Sequence, residues 1–184
     1  MDGKVLLYRE GKKLYALPLD GSPTKAKSQF VADTVQGRFS PDGRWIVYSA
    51  LVASGSMEVF AQKFPMRGLR IQLSPDGGSD PIWRRDGKEI LYRKGSTICS
   101  VMVEEQGEDL SAKAPVALFQ VRVPIGVIAE DMPMAVTRDG SKILFAQGTE
   151  QPNPQLTYVM TAWDTLLQQG PGTDNAGRDS SKPH

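Results

Sequence analysis

Short apolar runs separated by polar turns recur along the whole chain. The clearest run is Trp45–Tyr48, which is apolar at every position, as a strand is when both of its faces are covered. It follows Pro41-Asp42-Gly43, where proline sets φ for a tight turn and glycine can adopt the left-handed conformation that a hairpin needs. The stretch Phe39–Tyr48 therefore predicts a hairpin whose second strand is buried on both sides.

The same pattern returns three more times. The Asp-Gly pairs that begin at residues 2, 42, 86 and 139 each precede an apolar run that ends in an aromatic residue, and their spacings are 40, 44 and 53 residues. A repeat of about 40–45 residues with one such hairpin per copy is typical of propeller blades. The pattern thus predicts an all-β fold, a β-propeller of about four blades built from four-stranded antiparallel sheets.

The predicted repeats cover residues 1–167 and are incomplete at both ends. Their bounds are about 1–35, 36–78, 79–123 and 124–162, and the first lacks a strand ahead of Asp2. Residues 104–113 are predicted to be a polar link inside the third repeat. Trp163, Leu166 and Leu167 have the spacing of a short helical turn, and the polar residues 168–184 predict a disordered tail.

Composition excludes several classes of function. The net charge of +1 gives no electrostatic reason to expect nucleic acid binding, and neither an apolar membrane span nor a signal peptide is visible. The single cysteine, Cys99, allows no internal disulfide and no cysteine zinc cluster, and is expected to be a buried thiol. The single histidine, His184, lies at the terminus, so we expect no catalytic residues, no metal and no cofactor.

The repeats resemble a known family. Phe39-Ser-Pro-Asp-Gly, Trp83-Arg-Arg-Asp-Gly and the ending at Leu156–Leu167 are similar to TolB-type, WD-like β-propeller repeats. The resemblance implies the C-terminal part of a propeller, as found in bacterial multidomain sensor and kinase proteins. It favours an extracytoplasmic location for such a parent, whereas the absence of a signal peptide favours the cytoplasm for this chain.

Ligands of propellers generally bind at the mouth of the channel, on loops that lead into the innermost strands and on loops that join the second strand to the third. The polar residues predicted on these loops are Gln36, Ser79, Asp80, Lys94, Glu130 and Asp131, together with Ser54, Ser56 and Thr149. Glu130 and Asp131 are adjacent and point to opposite faces of an extended chain, so they do not predict a carboxylate pair.

Other conspicuous residues have structural interpretations. The pairs Asp42-Gly43, Asp86-Gly87 and Asp139-Gly140 are explained by their turns. Trp45, Trp83 and Trp163 are predicted to pack in the core or between blades. Arg84 with Arg85, and Arg67 with Arg70, could bind an anion, but solvated strand ends are the simpler interpretation.

These patterns favour a non-catalytic interaction or sensor module that binds a protein, a peptide or a small ligand. Two alternatives stay open. The chain could be the accessory propeller of an enzyme, kinase- or peptidase-linked, whose catalytic domain lies elsewhere, or a structural module that forms homo-oligomers through open blade edges.

Overall fold

A computed structural model describes residues 4–19, 28–29, 34–65, 67–121, 134–137 and 139–145. These residues form antiparallel sheets and contain no helix, which confirms the all-β prediction. The predicted helical turn at Trp163 and the predicted tail, residues 168–184, lie outside the described residues.

In the first two sheets the strands pair in the order in which they occur along the chain. The first contains β1 (Val5–Glu10), β2 (Lys13–Pro18) and β3 (Ser28–Gln29), paired in that order. The second contains β4 (Thr34–Phe39), β5 (Trp45–Leu51), β6 (Met57–Lys63) and β7 (Arg67–Gln72), also paired in chain order. The second sheet is therefore a complete four-stranded blade.

The third and fourth sheets continue the repeat. The third contains β8 (Ser79–Trp83), β9 (Glu89–Lys94), β10 (Thr97–Gln106), β11 (Asp109–Ala112) and β12 (Val116–Gln120). The fourth contains β13 (Met134–Val136) and β14 (Ile143–Phe145). We refer to the four sheets as blades one to four.

One prediction inside blade three is wrong. Residues 104–113 are not a link: β10 continues to Gln106, and β11 pairs back onto its second half from Val103 to Gln106. The first half of β10 pairs with β12 instead. A tight turn at Gly107, where φ is 65°, makes this possible because glycine adopts that conformation without a steric penalty.

The Asp-Gly pairs have the same turn geometry in blades two, three and four. Each aspartate Oδ1 accepts a hydrogen bond from the backbone N–H two residues ahead, at 3.0–3.1 Å, in Asp42, Asp86 and Asp139. The next glycine has a positive φ each time, 77°, 73° and 72°. The hydrogen bonds from Thr137 and Ser141 lower the pKa of Asp139, so this turn aspartate is ionised at neutral pH.

The hydrophobic core lies between blades, not within them. On β5, Trp45 and Val47 pack toward blade three, whereas Ile46 and Tyr48 pack toward blade one. Because successive side chains of a strand point to opposite faces, a strand covered on both sides must be apolar throughout. A third cluster joins blade three to blade four in the same way, through residues such as Leu91.

Three residues that could have suggested chemistry lie in the core between blades two and three. Trp45, Trp83 and Cys99 are all buried in one cluster. Burial raises the pKa of the Cys99 thiol, and burial likewise raises the pKa of the neighbouring Tyr92 hydroxyl. Both groups stay protonated at neutral pH, so Cys99 lacks the thiolate character of a reactive cysteine.

Candidate functional site

A cavity of about 350 Å³ opens where blades two and three meet. We call it the loop-face pocket, because it lies beside the segment that leads from β7 into β8. Four of the nine candidate ligand-binding residues line it: Gln36, Ser79, Asp80 and Lys94. The rest of its wall comes from Ser49, Met57, Asp76, Gly77, Gly78, Arg93 and Gly95.

A buried ion pair forms one side of this pocket. Asp80 is 3% exposed and Arg93 is 4% exposed, and Oδ2 of Asp80 lies 2.9 Å from Nε and 2.8 Å from Nη2 of Arg93. The second carboxylate oxygen, Oδ1, accepts a hydrogen bond of 3.0 Å from Nε2 of Gln36. The Ser79 hydroxyl donates to Oδ2 at 2.9 Å, and Nη1 of Arg93 donates to the carbonyl of Gly95. Both charges are therefore neutralised and hydrogen-bonded, as buried ions need to be.

The backbone of Asp80 is strained. Its φ is 55°, in the left-handed region that few residues other than glycine adopt, and the pairing of β8 with β9 is irregular between Ser79 and Ile82. Aspartate tolerates this conformation better than most residues, at a cost on the order of 1 kcal/mol. Backbone strain that surrounding contacts maintain is concentrated at functional sites.

Hydrogen bonds to a buried glutamate fix the segment between β7 and β8. Oε2 of Glu58 accepts a hydrogen bond of 2.5 Å from the Ser74 hydroxyl, and Oε1 accepts one of 2.9 Å from the backbone of Gly77. The backbone N–H of Gly78 donates to the carbonyl of Met57 at 2.8 Å. A Cβ at Gly78 would lie only 2.9 Å from Tyr92, so the wall of the pocket requires glycine there.

Two polar groups of the pocket have a weak partner or none among the described residues. The Ser49 hydroxyl is buried in the wall and has no hydrogen-bond partner among them. The Lys94 ammonium is exposed and lies 3.6 Å from a carboxylate oxygen of Asp76, a distance typical of a weak surface pair. The pocket therefore offers a ligand the charge of Lys94 and the apolar surface of Met57.

The other candidates lie elsewhere. Glu130, Asp131 and Thr149 fall outside the described residues. Ser54 and Ser56 bond to each other at 2.8 Å in the turn between β5 and β6, and they do not line the pocket.

Sequence reasoning missed Ser49 and Arg93, although the repeat contains a signal for both. Gln36 and Asp80 each precede the aspartate of their Asp-Gly turn by six residues, and Ser49 and Arg93 each follow it by seven. Equivalent positions of two neighbouring blades thus supply the pocket. In blade two these positions, Gln36 and Ser49, are direct cross-strand partners.

The anion-site candidates have mixed outcomes. Arg84 is only partly exposed, because its guanidinium bonds to the buried carboxylate of Glu89 at 3.0 Å and lies 3.5 Å from Asp86. Its assignment as a solvated strand end is therefore wrong. The Arg70 guanidinium lies over the ring of Phe60, 4.4 Å from its centroid. Arg85 is exposed.

Comparison with known proteins gives a match in structure only. No family model matches the chain, and no curated protein matches it significantly. Among solved structures, a protein of Agrobacterium tumefaciens provisionally named TolB has 21% identity and a TM-score of 0.56, over 79% of this chain and 50% of that one. TolB of Acinetobacter baumannii has 17% identity and a TM-score of 0.50, over 83% and 37%. The fold is a partial β-propeller.

The propeller fold is shared by proteins with different names. A protein of Bacteroides uniformis provisionally named 6-phosphogluconolactonase has 16% identity and a TM-score of 0.50, over 88% of this chain and 53% of that one. The chain spans about half, or less, of the length of these structures. At such identities the similarity concerns the fold, and the fold alone does not separate binding propellers from enzymes.

Within the described ranges, no group of three or more His, Cys, Asp or Glu residues is arranged to hold a metal ion. No helix in that part of the chain has the length and hydrophobicity needed to cross a bilayer.

Proposed function

We propose that the chain is a non-catalytic binding module, and that the loop-face pocket takes one side chain of a peptide or protein partner. One observation supports this most strongly. A strained aspartate, a buried arginine and their hydrogen-bonded neighbours form a rigid wall beside an open cavity. Preorganisation of this kind lowers the entropic cost of binding.

The size and chemistry of the pocket support a peptide side chain as the occupant. A volume of about 350 Å³ is at the lower end of the range of ligand sites, large enough for one side chain with its backbone. Because Asp80 and Arg93 satisfy each other, Lys94 is the cation of the pocket that can reach a partner. We therefore expect a preference for an acidic or hydrogen-bond-accepting side chain.

The test is a selection of random linear peptides on the immobilised chain, followed by calorimetric titration of the enriched peptides. Lys94→Glu should weaken their binding by about tenfold or more, because it places a like charge against an acidic side chain. Lys88→Glu is the matched control, because it makes the same change of charge as Lys94→Glu. Lys88 is also exposed, and it lines a different cavity. We expect Lys88→Glu to change the affinity for the enriched peptides by less than about twofold.

Two results would contradict the proposal. Peptides that bind the wild type and Lys94→Glu equally well would show that the pocket is not the site. Hydrolysis of 6-phosphogluconolactone by the purified chain, abolished by Lys94→Glu, would show that the pocket is catalytic. The second assay is needed because a propeller of similar fold carries that name.

A further inference from the structure

A second cavity, of about 740 Å³, is lined by residues of several strands. We call it the channel cavity. Its lining comes from all four blades: Leu7 of β1, Gly37, Arg38 and Phe39 of β4, Pro41, Ile82 and Trp83 of β8, Arg85, and Val136 of β13. It is separate from the loop-face pocket, with which it shares no described lining residue.

Among the described residues that line the channel cavity, all the charges have one sign. Arg38 and Arg85 line it, and its described lining includes no aspartate or glutamate. Nη2 of Arg38 donates a long hydrogen bond of 3.4 Å to the carbonyl of Met134, which carries this guanidinium from blade two across to blade four. Arg85 also lines a neighbouring pocket, together with Asp86 and Asp139.

Most of the accessible surface of the channel cavity is polar, but aromatic and aliphatic side chains also lie between the two arginines. Phe39, Ile82 and Val136 are aromatic or aliphatic, and Trp83 adds an indole ring. The Nε1–H of Trp83 is buried and has no hydrogen-bond partner among the described residues. Because this atom is buried, Trp83 reports on the wall of the cavity and is not counted among its ligand donors.

We propose that the channel cavity binds a small organic anion, in which a carboxylate or phosphate group is joined to a flat apolar body. Arginine suits such a group, because its planar guanidinium presents several N–H donors in a geometry that matches two oxygens at once. The apolar body packs against Phe39, Ile82 and Val136. This proposal does not depend on the loop-face pocket.

The test uses the complete chain and follows the indole N–H signal of Trp83 by two-dimensional NMR, assigned with Trp83→Phe. Phenyl phosphate and benzoate are the charged probes, and benzyl alcohol is the neutral control of similar shape. We expect both anions to shift the Trp83 signal with millimolar affinity and benzyl alcohol to leave it unchanged. The double variant Arg38→Gln, Arg85→Gln should weaken binding by about tenfold or more.

Lys94→Glu provides the control that separates the two proposals. It lies in the loop-face pocket and should leave phenyl phosphate binding within about twofold of the wild type. An equal response to benzyl alcohol, or equal binding by the double arginine variant, would overturn the proposal. Inorganic phosphate that binds as tightly as phenyl phosphate would contradict the apolar part of the site.

Discussion

At the scale of single residues, the ion pair between Arg93 and Asp80 makes the sharpest prediction about stability. Arg93→Met removes the charge partner of a carboxylate that is 3% exposed. An uncompensated buried charge destabilises a protein by about 3–5 kcal/mol. We therefore expect a loss of about that size in the free energy of unfolding, measured by urea denaturation monitored by circular dichroism.

Two companion variants show whether the charge is responsible. Lys94→Met removes an exposed cation next in sequence and should change stability by less than about 1 kcal/mol. The double variant Arg93→Met, Asp80→Asn removes both charges and should recover part of the loss, because no ion is then left unpaired. A loss below about 1 kcal/mol for Arg93→Met alone would mean that Asp80 finds another partner.

The ion pair also shows which contacts of the pocket could not be predicted from the sequence. Gln36, Ser79, Asp80 and Lys94 were predicted on loops, and the structure places them in β4, β8 and β9 instead, where the repeat still brings them into one pocket. The ion pair between Arg93 and Asp80 could not be predicted from the sequence, because it depends on an irregular strand pairing and on a φ of 55° at Asp80. Such local distortions of the backbone depend on tertiary contacts, so the pattern of apolar and polar positions in the sequence does not reveal them.

At the scale of elements, strands were predictable where turn chemistry and an apolar run occur together, as at Asp42-Gly43 before β5. The hairpin of β10 and β11 was missed because its charged residues favour a link. Yet the alternation of buried Val101, exposed Met102, buried Val103 and exposed Glu104 continues the strand pattern. The hairpin is held to blade two by ion pairs of Arg44 with Glu105 and Lys63 with Glu108.

A single leucine tests whether this hairpin belongs to the core. Leu110 of β11 is 6% exposed and packs in the cluster between blades two and three. Leu110→Ala should reduce the free energy of unfolding by about 2–4 kcal/mol, through lost burial and the cavity left behind. Leu69→Ala is the matched control, because Leu69 is 90% exposed, and it should cost less than about 0.5 kcal/mol.

If Leu110→Ala and Leu69→Ala lower the free energy of unfolding by the same amount in urea denaturation, the hairpin does not pack in the interface between blades. A larger loss for Leu110→Ala than for Leu69→Ala would show that the hairpin stabilises the contact between blade three and blade two.

At the scale of the whole molecule, the placement of the core between blades determines how the chain unfolds. Each of the three clusters takes residues from two adjacent blades, so no blade can bury its apolar faces alone. In repeat architectures of this kind stability is carried by the interfaces between neighbours. Blades two and three share the largest cluster, which includes Trp45 of one and Trp83 of the other.

We therefore predict that blades two and three unfold together. Tryptophan fluorescence of two double variants, Trp45→Phe with Trp163→Phe and Trp83→Phe with Trp163→Phe, each of which keeps one tryptophan, should give urea transitions that coincide with far-ultraviolet circular dichroism of the same variant, within about 0.2 M. Light scattering on each sample is the control, because self-association through open blade edges would make the midpoint depend on concentration. Two separated transitions in a concentration-independent sample would contradict the shared core and make each blade an independent unit.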